Sequence, residues 1–167
     1  KKNMKQWVID TPAFAEKLLD GLDELDWPES TKAMQRNWIG KSTGVEVDFN
    51  LELGGKFKIF TTCIETIYGI TFMVLAPEHK LVQELKPHIQ NWDEVDSYIK
   101  ETAKKSDLER TDLNKGKSGC ELKGIFAINP VNGKRVKVFI GDFVLASYAD
   151  GAVMAVPSHD QRDYEYA

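Results

Sequence analysis

Two polar clusters, each closing an apolar run, hold the side chains with which this sequence could do chemistry. In Ala152-Val153-Met154-Ala155-Val156-Pro157-Ser158-His159-Asp160-Gln161-Arg162-Asp163, Pro157 stops the apolar run and hydroxyl, imidazole and carboxylate groups follow at once. Thr61-Thr62-Cys63-Ile64-Glu65-Thr66 closes a second run, Phe57 to Phe60. A rigid strand that ends in polar side chains is a common way of presenting them to a ligand. If the two ends meet, they form a hydroxyl-rich pocket with carboxylates on one wall.

The threonines could hydrogen-bond a polar substrate or a water, and the methyl group of Thr66 could set the size of the pocket. Threonine is also simply a favoured strand residue. Asp160 and Asp163 lie one helical turn apart on nearly the same face. Both could point at the end of the preceding strand, where a carboxylate could hold an ammonium group. Asp160 reads equally well as a helix cap with a surface ion pair. His159 could carry a proton or face solvent without a role.

Other chemistries find less support. Cys63 has no histidine near it in sequence, which disfavours a thiol hydrolase. His79, His88 and His159 lack metal-ligand spacing. Gly54-Gly55 reads as a hairpin turn, and neither the Walker pattern nor the dinucleotide fingerprint occurs. A net charge of -4 argues against a surface that holds long nucleic acid, though not against contact with a short end. Cys63 and Cys120 make no disulfide or metal framework and read as reduced thiols of a cytosolic protein. No apolar run approaches the roughly 20 residues of a membrane span, and no signal peptide opens the chain. The sequence does not begin with methionine and is read as a piece of a longer polypeptide.

At 167 residues, 42% apolar and 29% charged, the chain suits one domain with an appended arm. Residues 1–40 read as helical. Thr11-Pro12 is expected to start a helix with a capping hydroxyl. Phe14, Ala15, Leu18, Leu19, Leu22 and Leu25 form an apolar stripe. Trp27-Pro28 breaks the helix, a second helix follows from Glu29 to Trp38, and Gly40 ends it. Val45 to Glu52 alternates at period two, turns at Gly54-Gly55 and returns as Phe57 to Thr62. Thr71 to Ala76 is another strand. Residues 81–106 read as helical with a break at Pro87, and 106–119 as a loop. Leu122 to Ile128 and Arg135 to Ile140 pair about Asn129-Gly133, Ala152 to Val156 is the last strand, and a helix begins after His159. These elements make a mixed α/β fold. Its main body is a largely antiparallel, β-barrel-like unit with peripheral helices, preceded by a helical arm.

The ordered motifs carry a further reading. Met4-Lys5-Gln6-Trp7, Leu22 to Glu29 (LDELDWPE), Met34 to Ser42 (MQRNWIGKS), Thr71 to His79 (TFMVLAPEH) and Gly151 to Asp163 together resemble the editing (CP1) domain of bacterial-type leucyl-tRNA synthetase and the stretch that leads into it. The resemblance spans nearly the whole chain. It implies residues 1–40 as an arm from the catalytic body and 41–167 as the editing domain, which in that family continues past Ala167. It also implies hydrolysis of the ester of mischarged tRNA(Leu), with norvaline, isoleucine and methionine as the errors. Asp163 is similar to the aspartate that holds the α-ammonium, and Thr66 to the threonine that excludes leucine. Thr61 and Thr62 would bind the ester end and position water. Tyr148, Met154 and Val156 would line the pocket, with His159 and Asp160 around the terminal adenosine and the ammonium. The resemblance implies no cofactor or metal for the hydrolysis, ATP and magnesium belonging to the ligase reaction of the parent enzyme. The 3′ end of tRNA(Leu) and the other synthetase domains are the implied partners, in the cytoplasm and without a membrane.

The chain departs from the family where the usual threonine-threonine-arginine-proline-aspartate-threonine reads Thr61-Thr62-Cys63-Ile64-Glu65-Thr66, and where Ala149-Asp150 replaces glycine-threonine. These changes motivate an alternative, a non-catalytic module that docks the tRNA 3′ end. The isoleucyl and valyl relatives are a second alternative, against which the leucyl-type blocks speak.

Overall fold

The computed structural model describes residues 4–111, 116–146 and 149–167. It divides into two compact units, Lys1–Thr43 and Gly44–Ala167.

In the first unit, a 3₁₀ turn at Thr11–Phe14 leads into helix α1 (Ala15–Gly21), and helix α2 (Glu29–Ile39) ends at Gly40, whose φ of 64° closes the helix in the left-handed conformation. The expected capping hydroxyl is not there. Thr11 lies inside the turn, its N–H bonded to the Ile9 carbonyl, and no side chain caps that end. Of the predicted apolar stripe only Leu22 is buried, while Phe14, Leu18 and Leu25 are exposed. Asp23 pairs with Arg36 at 2.5 Å, and Glu16 with Lys41 at 2.9 Å.

The second unit is built on one six-stranded sheet. Its strands are β1 (Val45–Leu51), β2 (Lys56–Thr61), β3 (Phe72–Leu75), β4 (Gly119–Ile128), β5 (Arg135–Gly141) and β6 (Ala152–Ala155), in the order β2-β1-β4-β5-β3-β6. The β1–β2 hairpin follows directly from its alternation. Phe49 and Phe57 face each other inward with ring centres 6.0 Å apart, while Lys56 and Lys58 bridge to Asp48 and Glu46 outside. Gly54 and Gly55, both at positive φ, make the reversal.

β3 is buried on both faces. Met73 and Leu75 join the main core with Phe49, Ile59, Leu122 and Val138. Phe72 and Val74 join a second cluster with Val144 and Ala155, covered by Phe143 and Tyr166. β3 pairs parallel with β5 and antiparallel with β6. The long excursion from β3 to β5 carries helices α3 (Lys80–Glu84), α4 (Trp92–Thr102) and α5 (Asp107–Thr111). α4 packs through buried Val95, flanked by Trp92 and Ile99 as its spacing requires.

The mixed α/β class and the largely antiparallel sheet agree with the sequence. Closure into a barrel is incomplete: β2 and β6 are the two edges and share no ladder. The sheet curls enough, however, that Cα atoms of these edges approach within 8 Å. A register break in β4 between Glu121 and Phe126, with Gly124 at φ 91°, sharpens the bend. One expectation about the loops needs correction. Residues 106–119 are not all loop: Asp107–Thr111 is helical because Ser106 and Glu109 form a capping box, with Ser106 Oγ and N–H on the Glu109 carboxylate. Ile64–Gly69, which takes in the second half of the threonine cluster, is a 3₁₀ helix.

Candidate functional site

The gap that keeps the sheet from closing is a cleft of about 1230 Å³. One lip is the end of β2 and the turn beyond it, giving Phe60, Thr61, Thr62, Cys63 and Thr66. The other is β6 and the start of α6 (Gln161–Tyr166), giving Met154, Val156, His159, Asp160 and Asp163. The two polar clusters of the sequence therefore converge. Of the residues to which the resemblance gives a role, Thr61, Thr62, Thr66, Met154, Val156, His159, Asp160 and Asp163 line this one cleft, and Tyr148 lies outside the described residues.

The threonine turn is stiffened from within. Thr61 Oγ1 accepts the Cys63 N–H at 3.1 Å, and Thr66 Oγ1 donates to the Cys63 carbonyl at 2.8 Å. Thr62 Oγ1 lies 3.7 Å from Cys63 Sγ. The hydroxyl proton of Thr66 is thus engaged in the turn. From below, the buried Asn129 side chain donates to the Ile67 carbonyl at 2.8 Å, tying the 3₁₀ helix to the β4–β5 hairpin. Gly69 lets the lips come together: a Cβ there would sit 3.2 Å from Val156 Cγ1.

Across the cleft the backbone reverses after β6. The His159 and Asp160 N–H groups both donate to the Val156 carbonyl, at 2.8 and 3.0 Å. The two aspartates then take different roles. Asp160 caps α6, accepting the Arg162 N–H at 2.7 Å, and pairs with the Arg162 guanidinium at 2.9 Å. That bond to Arg162 holds its carboxyl down at about 2. Asp163 turns back towards the strand, and its Oδ2 accepts the Val156 N–H at 2.9 Å. Burial pushes the Asp163 carboxyl above its ordinary value despite that bond. Asp163 has no ion pair within 4.0 Å among the described residues, and its Oδ1 has no hydrogen bond to them. A half-buried carboxylate in this state is suited to receive a cation from outside.

Structure adds residues that sequence reading missed. Tyr166 anchors α6: its ring meets Phe72, Phe139 and Phe143 with centres 5.4, 6.1 and 5.3 Å away. Gly119 admits it, since a Cβ there would overlap the Tyr166 hydroxyl. Lys117 also lines the cleft, its ammonium 4.4 Å from the centre of the Phe143 ring, which itself packs on Tyr166 of α6. Cys120 is a buried thiol pushed up to about 11 by burial, unsuited to nucleophilic work. Among the described residues no three His, Cys, Asp or Glu side chains are grouped to hold a metal ion. No described helix is long and apolar enough to cross a membrane.

Residues 36–167 match the family model described as "Leucyl-tRNA synthetase, editing domain". The chain belongs to this family. A similar solved structure is a LeuRS of Agrobacterium radiobacter K84, crystallised as a ternary complex with tRNA and LeuAMS. It is 36% identical over 96% of this chain, with a TM-score of 0.77. The chain spans 19% of that protein's length, about a fifth. In this chain, the open six-stranded sheet and the cleft beside its edges bring the two polar clusters together.

Proposed function

We propose that the chain is the proofreading module of a leucine–tRNA ligase, hydrolysing the ester that links norvaline, isoleucine or methionine to tRNA(Leu). The observation that carries this reading is the convergence of Asp163 with the threonine turn in one cleft. In it, the Asp163 carboxylate takes the α-ammonium of the aminoacyl group while Val156 N–H keeps the carboxylate aimed. Thr61 and Thr62 hold the ester and orient a water. The water oxygen attacks the carbonyl carbon, the bond to the ribose oxygen breaks, and the proton ends on that ribose hydroxyl. Orientation supplies much of the rate, and no covalent enzyme intermediate is required. Met154 and Val156 form the apolar wall, and His159 and Asp160 flank the terminal adenosine. ATP and magnesium serve the ligase reaction of the parent enzyme, not this cleft.

Selection works by exclusion. A synthetic site separates side chains that differ by one methylene by only ~1–3 kcal/mol, so a second pocket that rejects the correct residue multiplies the discrimination. Thr66, in this reading, is the group that rejects leucine. In this reading the first unit is the arm from the catalytic body, the partners are the tRNA 3′ end and the other synthetase domains, and the setting is the cytoplasm.

The test is deacylation of norvalyl-, isoleucyl- and leucyl-tRNA(Leu) by the full-length synthetase. Hydrolysis of the first two, absent for leucine and lost on Asp163→Ala, is the expected result. Binding of the tRNA end without hydrolysis of any of them would instead favour the docking module that Cys63 and Ile64 motivate.

A further inference from the structure

The cleft is lined by charges of both signs, and only its carboxylates have a use in the reading above. Of its lining cations, Lys105 is bound to Asp142 at 2.7 Å, Arg110 to Glu78 at 3.0 Å, and Arg162 to Asp160 at 2.9 Å. Lys117 alone has neither an ion pair nor a side-chain hydrogen bond to any described residue. Its ammonium is held instead against the Phe143 face, an arrangement that tolerates a cation while leaving its donors open.

Lys117 is also not a free-swinging surface lysine. The next residue, Ser118, is locked to Asp142: its N–H donates to Asp142 Oδ1 at 3.1 Å and its hydroxyl to Oδ2 at 2.8 Å. Its carbonyl accepts from the Tyr98 hydroxyl at 2.7 Å. Asp142 itself is buried, and Phe143 follows it directly, so one clamp fixes both the root of the lysine and the ring beneath its ammonium. Burial lowers the ammonium's pKa, with Arg162 adding to the effect and Asp163, Asp160 and Glu165 opposing it. An anion brought to the site would relieve that cost.

We infer that Lys117 is a phosphate-binding residue of the cleft, receiving the phosphodiester next to the aminoacylated ribose while Asp163 receives the ammonium. This rests on the aminoacyl-ester reading and deepens it, since a substrate that carries both an ammonium and a phosphate meets in one cleft a carboxylate without an ion pair and an ammonium without one. Lys117 then sets the direction in which the nucleic-acid end lies in the cleft.

The test uses calorimetric binding of a non-hydrolysable aminoacyl-adenosine analogue, with and without a 5′-phosphate, to the 167-residue chain. For the wild type, the phosphate is expected to tighten binding roughly 10-fold, as a hydrogen bond to a charged group does. Lys117→Ala should abolish that ratio and Lys117→Arg should restore it, with circular dichroism and the melting temperature reporting the fold of each. An undiminished ratio in Lys117→Ala overturns the assignment, as does wild-type binding that ignores the phosphate, and in both cases the aminoacyl-ester reading survives. Inorganic phosphate bound as tightly as the phosphorylated analogue would make this a free-anion site and also overturn it. Failure of both analogues to bind the wild type sinks the reading and the inference together.

Discussion

Replacing Asp163 by asparagine separates what this residue does for function from what it does for the fold. The amide keeps an oxygen to accept the Val156 N–H, which Asp163 Oδ2 accepts at 2.9 Å, and removes only the charge. A charge-assisted contact to an ammonium is worth ~1.5–3 kcal/mol, so kcat/KM for deacylation should fall about 10- to 150-fold. Stability should move the other way or not at all. Burial raises the Asp163 carboxyl above its ordinary 3.8, so the folded state holds the proton more tightly than the unfolded chain. The contribution of such a group is full below its unfolded value and is lost as pH rises through its folded value. Near neutral pH the wild type therefore carries a buried-charge cost that the asparagine lacks, and it gains on the variant as pH falls towards 3.8. Asp163→Ala differs, because it orphans the Val156 N–H at a cost of ~1–3 kcal/mol. Deacylation of isoleucyl-tRNA together with urea unfolding near neutral and acidic pH measures all of this. Full activity of Asp163→Asn, or a loss of stability as large as that of the alanine variant, would refute the reasoning.

The remaining expectations concern the walls of the cleft and its supports. Thr66→Ala should let leucine in, raising leucyl-tRNA cleavage by an order of magnitude or more, while Thr66→Val, which keeps the bulk, should still exclude it; equal leucine cleavage by the two would remove the steric gate. Gly119→Ala should expel the Tyr166 ring and loosen α6, lowering both the melting temperature and deacylation, because a Cβ at residue 119 would also stand 2.7 Å from the Ile140 carbonyl. An unchanged melting temperature would argue against that packing. Burial pushes the Asp142 carboxyl up, but its bonds to Lys105 and Ser118 outweigh this and hold it below 3.8. Asp142→Asn should therefore lower stability in urea unfolding by about 1–2 kcal/mol, since the carboxylate is buried but the Lys105 ammonium left behind stays near solvent. The wild-type advantage should persist above the ordinary carboxylate range and fade as pH falls below it.

The sequence carried more of the local structure than of its assembly. Alternation revealed β1 and β2, and Gly40 and Asp160 marked helix ends, because these signals arise from neighbouring residues. The pairing of β3 with β5 was not legible, since it joins segments more than 60 residues apart with helices between them. Ser106 and Glu109 carried a capping-box signature that the polar, glycine-bearing stretch around them obscured. At the site, Thr61, Thr66 and Asp163 were visible as polar groups at strand ends. The division of labour between Asp160 and Asp163 was not, because spacing puts both near one face and only the reversal after Val156 sends one to Arg162 and the other to the strand. Lys117 left no trace in sequence: its partner Phe143 comes from another turn, and both owe their positions to Asp142.

A crystal structure of the chain with an uncleavable aminoacyl-adenosine bound bears most directly on the central claim, that the cleft between the sheet edges takes the aminoacyl end of a tRNA. The ligand's ammonium is expected within hydrogen-bond distance of the Asp163 carboxylate, with its side chain between Thr66, Met154 and Val156. A ligand bound elsewhere on the molecule, or seated in the cleft with its ammonium away from Asp163, would contradict it.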